Sequence, residues 1–543
     1  MFTYFHAYMP EAWDAQVKAG LITSHAGIRF CQSIDIDDHL KFNRLAAVGG
    51  DLHRLVRETG MPFYIDRLQG GCFIENYPYD MDLVDVYRHM LGENFFGFQM
   101  HEWMSNYRYD LVKLRKLTAD QWNEETIAQY IKQKYPYPHV FLESMNAGEM
   151  ATLGQPASFE AFFANAEWLF RDRQNYTAGD VLPCDSSFMA YKLELQNGAK
   201  RIMAEIGNQT PNTRVQMAYA RGMAKAYGAT FGGYYEPWGG SPFSACCYHR
   251  QGKNEWNIGS ADFPFKTCGE NGGSSRSLQM RMHLYALFAG AAFFSEEWGM
   301  CNTFYDWTDF ELSPYGRVKK EFMDLLVSHP DIGTPVAPIA VVLPREIPFL
   351  DNDFSDAPTL AEYPVDETLA HKLKAVRQGL RDLFLTHDGH LGTENTSLVN
   401  ASIPDALDIV HEDKFDPDAY DYLVDLTGTD AFPKAHASKL CKIEDVPALL
   451  DRLLPCSFRG AAMKQVARCA DGTYHLLLTN NSGVSRTVAH GEQLLPEAGT
   501  SVTITPKNNR TLTVLAGNGC LARTGDIYRA EIPAGGWLMC RLA

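Results

Sequence analysis

The sequence predicts an α/β fold: a (β/α)8 TIM barrel, then a flavodoxin-like α/β domain and a small C-terminal β-sandwich. Three observations predict it. Eight short apolar runs bounded by Gly, Pro or polar residues recur through the first 300 residues, with stretches of helical period between most of them. A shorter strand-and-helix alternation begins near residue 335, and after Leu454 it gives way to alternating strands between Asn- and Gly-rich turns. At 543 residues the chain exceeds what one hydrophobic core sustains, so two to four domains are expected.

Taken in order, the eight runs are Phe2 to Tyr8, Ile28 to Ser33, Pro62 to Leu68, Phe95 to Glu102, Val181 to Ser186, Arg201 to Gly207, Phe231 to Glu236 and Ala291 to Glu297. Short apolar runs of this kind read as strands buried on both faces. Amphipathic stretches at Asp38 to Thr59, Met81 to Leu91, Asn212 to Tyr227 and Ser274 to Phe288 supply crossover helices. His139 to Glu143 reads as a further strand or as part of a long insertion before the fifth strand. A helix from Leu312 to His329, with a Ser-Pro start, closes a barrel domain assigned to residues 1–330.

The strand Pro338 to Leu343, a helix around Leu369 to Leu385 and strands at Leu407 to Val410 and Tyr420 to Leu426 form the second domain, 335–445. Leu343-Pro-Arg-Glu-Ile after its first strand lacks the glycines that let a backbone approach phosphate, so no nucleotide site is expected there. Runs at Thr473 to Thr479, Ser501 to Thr505 and Leu512 to Leu515 form the antiparallel sandwich of 446–543.

A formal charge of -17 argues against nucleic acid or an anionic membrane surface as partner, because phosphate binding draws on excess Lys and Arg. No window reaches 18 consecutive apolar residues, and Met1 leads directly into a strand-like run; the chain as given reads as cytoplasmic, or as secreted with a signal removed. Twelve cysteines without a CxxC pair read as buried free thiols, and Cys246-Cys247 with His249 is too sparse for a metal site.

Four of the barrel runs end in a carboxylate: Glu102, Glu205, Glu236 and the pair Glu296-Glu297. A buried strand cannot hold an unpaired charge at its middle but can present one at its C-terminal end, where parallel barrels carry their reactive groups. Trp103, Pro237-Trp238 and Trp298 stand beside three of these positions, and indole faces stack on sugar rings while carboxylates do acid/base work on glycosidic bonds. Glu102 and Glu236 close strands four and seven, which face each other across the mouth, and are the candidate catalytic pair, with structural ion pairing as the alternative.

Of Glu296 and Glu297 one points into the barrel and the other pairs outside it; the inward one, taken as Glu297, suits binding of sugar hydroxyls. Glu205 suits tuning the nucleophile or pairing with a neighbouring Arg. Asp66, Arg67 and Gln69 end the third strand with groups suited to hydroxyls. By alternation His101 faces away from Glu102, toward a core or loop bond. Asn106 and Tyr107 are placed on the following loop, within reach of substrate. Tyr234 shares inward parity with Glu236 and either orients it or packs in the core. Trp238, Trp298 and Trp307 are stacking candidates.

On Phe98-Gln-Met-His-Glu102-Trp and Gly233-Tyr-Tyr-Glu236-Pro-Trp, and on the order of domains, the chain resembles the clan A glycoside hydrolases, among them family 42 β-galactosidases and, more closely, family 164 β-mannosidases. The resemblance implies a retaining exo-β-glycosidase acting on terminal β-mannosides or β-galactosides by double displacement. Glu102 would then be acid/base and Glu236 nucleophile, with no cofactor, a carbohydrate as the partner, and a homotrimer built through the 335–430 region. It departs from the clan at His101, where Asn is usual. Two alternatives stand beside it: an inert glycan-binding or scaffold barrel, and an inverting or α-directed hydrolase using Glu205 or Glu297.

Overall fold

The computed structural model describes residues 1–6, 10–30, 51–65, 85, 88–89, 92–134, 142–208, 210–237, 248–251, 255–258, 274–297, 303–305, 309–346, 357–385, 393–486 and 491–543. Eight parallel strands close a barrel: β1 (Phe2–His6), β2 (Ala26–Phe30), β3 (Phe63–Ile65), β4 (Phe95–His101), β5 (Val181–Asp185), β6 (Arg201–Gly207), β7 (Thr230–Glu236) and β8 (Phe293–Glu296). Closure is made by β1, which pairs Phe2 with Phe293 on one side and Thr3 with Ala26 on the other. Each strand coincides with one of the eight apolar runs. Because the sheet is buried on both faces, odd and even positions of a strand belong to two separate cores: Tyr4, Tyr64, Leu182, Cys184, Met203, Tyr234 and Phe293 fill the barrel, while residues such as Phe63, Met100 and Phe294 pack outward under the helices.

One irregularity resets that alternation in β4. Phe63 pairs with Phe95 but Tyr64 pairs with Gly97, so β4 carries a bulge. Gly97 takes φ +112, and a Cβ there would lie 2.2 Å from the Asp180 carbonyl oxygen.

Between β4 and β5 the chain inserts helices that include α1 (Trp103–Leu114) and α2 (Phe159–Tyr176). Residues 142–143 lie in a turn, and 135–141 fall outside the described residues, so the insertion supplies no extra barrel strand among the described residues. The later helices include α3 (Thr213–Tyr227), α4 (Arg276–Phe288) and α5 (Pro314–Ser328). The expected helices at 38–50 and at most of 81–91 lie outside the described residues.

Beyond the barrel, β9 (Ile339–Leu343), β10 (Leu407–His411), β11 (Tyr422–Asp425) and β12 (Leu440–Cys441) form a parallel sheet in the order β10-β9-β11-β12, with α6 (Glu367–Phe384) between the first two in sequence. Two antiparallel sheets follow. One joins Met463–Arg468, Tyr474–Thr479, Trp537–Leu542 and Leu512–Gly517, and its outer strand is Thr334–Pro335. The chain therefore touches the C-terminal sheet before it enters β9. The second joins Cys456–Arg459, Thr500–Pro506, Ile527–Ile532 and Cys520–Thr524.

The barrel docks on the β9–β12 sheet through α3. Gly222 leaves room for the Ile409 backbone, whose oxygen would lie 2.2 Å from an added Cβ. Arg221 donates to Asp408 Oδ1 (2.5 Å) and to the Leu407 carbonyl (2.8 Å), and Lys225 donates to Asp408 Oδ2 (2.5 Å).

Candidate active site

Four of the five strand-end acids, Glu102, Glu205, Glu236 and Glu297, converge at the C-terminal mouth of the barrel. Register places Glu205 beside Tyr234 and Gly207 beside Glu236. Gly207 is what lets Glu236 sit so close: a Cβ there would lie 2.4 Å from the Glu236 carbonyl oxygen and 2.9 Å from its Cβ. Glu205, Glu236 and Glu297 are nearly fully buried. Glu102 is the open one, its side chain 36% exposed.

Glu102 owes its place to a change of backbone state. It ends β4 with φ 49, ψ 29, the left-handed region, and α1 starts at the next residue. Its amide donates to the Cys184 carbonyl (2.7 Å) and its carbonyl accepts from the Asn106 amide (2.7 Å). Its side chain does not cap the helix. Asp185 of β5 does that instead, accepting from the Met104 amide (2.8 Å), the Ser105 amide (3.2 Å) and the Ser105 hydroxyl (2.5 Å), and from the Ser187 amide (2.7 Å). A carboxylate from the neighbouring strand thus supplies the cap and leaves the Glu102 side chain to face the cleft.

Leaving the strand at Glu102 also overturns the expectation for His101. Alternation runs only through His101, and the Gly97 bulge has already shifted it, so His101 points into the barrel while Glu102 turns to the same mouth. The imidazole is 1% exposed. Its Nε2 lies 3.1 Å from Glu205 Oε1 and 3.8 Å from Glu297 Oε1, and its Nδ1 lies 3.8 Å from Glu102 Oε2. Its backbone amide donates to Glu143 Oε2 (3.1 Å). One atom each of His101, Glu205 and Glu297 falls within 4.8 Å of the others, a spacing a cation also requires. The 3.1 Å contact is a hydrogen bond, and hydrogen bonding accounts for the arrangement as it stands.

Burial first, then the charges of Glu102, Glu236, Glu297 and Asp185, hold the Glu205 carboxyl well above the usual carboxylate range. Burial, then Glu297 and Glu102, do the same to Glu236. Among the described residues, Oε2 of Glu205 and Oε2 of Glu236 each lack a hydrogen-bond partner. The set therefore titrates together: a proton on one member makes ionisation of the next easier.

The two adjacent acids divide as alternation dictates. Glu297, whose amide donates to the Tyr235 carbonyl (2.8 Å), faces the mouth cluster. Glu296 points out through the barrel wall, paired with Lys319 and accepting from Gln279 Nε2 (3.2 Å).

Beneath the acids lies a floor built on Arg29. It donates to the Glu296 carbonyl (2.6 Å) and, through Nη2, to the Tyr234 hydroxyl (2.9 Å); the Tyr64 and Ser295 hydroxyls meet at 2.6 Å. Tyr234 is inward, as expected, but fully buried with its hydroxyl turned to Arg29, so it is part of the floor and its orienting role toward Glu236 is not what this contact serves. Asn106 and Tyr107 lie on the first turns of α1 and not on a loop. Asn106 is half-buried. Tyr107 is a core ring stacked on Phe162 at 5.2 Å, which removes it from substrate contact. Trp103 is likewise core, with Nε1 donating to Glu194 (2.8 Å). Asp66, Arg67, Gln69, Trp238, Trp298 and Trp307 lie outside the described residues.

Sequence reading missed three residues. Arg29 was a lone cation inside an apolar run, a signal that it had an acceptor inside the sheet. Asp185 ended the fifth run as the other acids ended theirs. Glu143 belonged to the segment with no settled element.

No family model and no curated protein matches the chain. Among solved structures, the catalytic module of a family 98 glycoside hydrolase from Streptococcus pneumoniae TIGR4 aligns over 99% of this chain and 98% of that one at 9% identity, TM-score 0.43. Alpha-L-fucosidase isoenzyme 2 from Paenibacillus thiaminolyticus aligns over 100% and 99% at 10% identity, TM-score 0.47. An exo-beta-1,4-mannosidase from Opitutaceae bacterium strain TAV5 aligns over 87% and 83% at 10% identity, TM-score 0.31.

Proposed function

We propose that the protein is a retaining β-glycosidase in which Glu102 is the general acid and base and Glu236 the nucleophile. The observation that carries the reading is placement: both carboxyls end barrel strands at one mouth, close enough for the charge of Glu102 to act on Glu236, with the Glu102 side chain 36% exposed and Glu236 buried. Protonated Glu102 beside ionised Glu236 is the state in which a glycosidic oxygen is protonated while the anomeric carbon is attacked.

In the first step Glu102 delivers its proton to the leaving oxygen as a Glu236 oxygen bonds to C1. In the second, Glu102, now a carboxylate, takes a proton from water, whose oxygen displaces Glu236 and restores both groups. Position supports the same roles: Glu102 is open to solvent, where a leaving group departs and water enters, and Glu236 is sunk in the wall, where the ring of a sugar would rest against it. The terminal sugar is read as β-mannose or β-galactose on the resemblance of the two strand-end motifs, and the same resemblance carries the proposal of a homotrimer.

The test is a panel of nitrophenyl glycosides with the first-formed product anomer followed by NMR. Release from a β-mannoside or β-galactoside with retention supports the reading. Inversion would transfer the base role to Glu205 or Glu297, and no turnover of any glycoside would leave a binding barrel. Light scattering tests the assembly, which a mass near the single chain's 61.0 kDa contradicts.

A further inference from the structure

The segment Thr393 to Ser397, which lies between α6 and β10 in the second domain, reaches back to the mouth of the barrel. Its Glu394 is 3% exposed and holds the chain on both sides of Glu236. On one side Oε1 accepts from Nδ2 of Asn208 (3.2 Å), the residue that follows Gly207 at the end of β6. On the other, Oε1 accepts from the Ser275 amide (2.8 Å) and Oε2 from the Ser275 hydroxyl (2.5 Å), at the N-cap of α4. Each contact is a short step from the nucleophile. Gly207 pairs with Glu236 in register, and the two strands leave no room for a Cβ between them. Ser274, joined to Ser275, donates its amide (2.7 Å) and its hydroxyl (3.1 Å) to the carbonyl of Pro237, the residue after Glu236.

The segment that carries Glu394 is itself tied down. The Ser397 hydroxyl donates to the Asn208 carbonyl (3.1 Å), and the Thr213 amide at the start of α3 donates to the Ser397 carbonyl (3.3 Å). Asn395 exchanges bonds with Val484 of the C-terminal region, donating to its carbonyl (2.9 Å) and accepting from its amide (3.1 Å). Burial pushes the Glu394 carboxyl up, with Arg486 and the Ser275 donors opposing. The clamp holds in either state, because with a proton on Oε2 that oxygen donates to the Ser275 hydroxyl while Oε1 keeps both N–H donors. Apolar packing joins two domains at lower cost than a buried carboxyl, and what the carboxyl adds is a fixed geometry between Asn208 and Ser275. We propose that Glu394 is a positioning residue for Glu236, so that a carboxyl of the second domain sets the placement of the nucleophile in the barrel. This rests on the reading of Glu236 as nucleophile. The second domain thereby takes part in the site without touching substrate.

The experiment exchanges Glu394 for Met, which keeps the length and removes both acceptors, and for Gln, which keeps Oε1 for the two N–H donors. Each variant is assayed on an alkyl and a dinitrophenyl glycoside of the same sugar. Each is also timed with a dinitrophenyl 2-deoxy-2-fluoro β-glycoside, whose burst counts the folded sites. Glu394→Met is expected to lower kcat per counted site about thirtyfold on both substrates, with KM within about twofold, because bonding to Glu236 and release from it are common to both. The rate of inactivation should fall by the same factor. Glu394→Gln should stay within about threefold of the parent in every one of these rates. Ser397→Ala removes the hydroxyl that holds the Asn208 carbonyl and should give the same pattern at about threefold, which carries the test if Glu394→Met does not fold.

Equal losses in Glu394→Met and Glu394→Gln would overturn the proposal, since placement through Oε1 survives in the second. A raised KM with kcat unchanged would also overturn it, because the segment would then serve substrate binding. Parent rates in folded Glu394→Met, or in Ser397→Ala where the first does not fold, would reduce Glu394 to a domain contact. The fluoro sugar on the parent separates this proposal from the reading beneath it. If the sugar is recovered on a carboxyl other than Glu236, both fall. If it is recovered on Glu236 while the variants are inactivated at the parent rate, only the role of Glu394 falls.

Discussion

Two buried carboxylates, Asp408 and Glu236, are equally hidden from water and are shifted in opposite directions. Asp408, on β10, is held below the usual range because Arg221 and Lys225 both donate to it, with the Tyr420 hydroxyl as a third donor (2.9 Å). Glu236, on β7, is held above it by burial and by the charges of Glu297 and Glu102, and one of its oxygens has no hydrogen-bond partner among the described residues. The first is compensated, and its placement between α3 and β10 gives it a structural task. The second is buried with like charges around it. Folding does not favour such an arrangement, which is reason to look for its use in chemistry. Glu296, one residue from Glu297 and turned outward onto Lys319, shows the same division across a single peptide bond.

The comparison is broken most sharply by exchanging each acid for its amide. Glu236→Gln is expected to lower kcat by about 10⁴-fold or more while leaving the melting temperature equal or higher, since a buried group short of partners loses its charge. Asp408→Asn is expected to do the reverse. It strips the charge that Arg221 and Lys225 need and should cost about 3 kcal/mol of stability, read as a shifted urea midpoint, with kcat of the folded fraction unchanged. A catalytic loss in Asp408→Asn or a large destabilisation in Glu236→Gln would erase the distinction.

Much of this contrast was legible in the sequence. The eight barrel strands follow from apolar runs because strands buried on both faces have no other composition available. That Glu296 and Glu297 face opposite sides follows from period two, while which of them faces inward follows from the packing of Glu296 on Lys319. What alternation could not convey was where it stops. The bulge at Gly97 and the left-handed turn at Glu102 moved His101 into the barrel, and both depend on contacts with Asp180 and Asp185 across 80 residues of intervening chain. Trp103 and Tyr107 misled for a related reason: aromatic residues beside an acid satisfy a helix core as readily as a sugar, and only packing against Glu194 and Phe162 distinguishes the two. Arg29 lay in plain view, but its acceptors come from β7 and β8 and no local pattern names them.

A smaller effect sharpens the same contrast through pH. Glu205 and Glu236 bind protons more tightly folded than unfolded, so their contribution to stability declines as pH rises above the ordinary value near 4.5. Asp408 binds its proton less tightly folded, so its contribution is present above the ordinary value near 3.8 and is lost as pH falls through its lowered range. Urea midpoints from pH 5 to 8 should therefore fall less steeply in Glu205→Gln than in the parent. Asp408→Asn should keep the parent's slope across that window. Equal slopes in parent and Glu205→Gln would mean that the mouth carboxyls are compensated after all.

The central claim is that Glu236 attacks the anomeric carbon, and it is met most directly by trapping. A 2-deoxy-2-fluoro β-glycoside with a dinitrophenyl leaving group should inactivate the protein with burst release of one phenolate per chain, and peptide mapping should recover the sugar as an ester on Glu236. Recovery of the sugar on Glu205 or Glu297 would contradict the account.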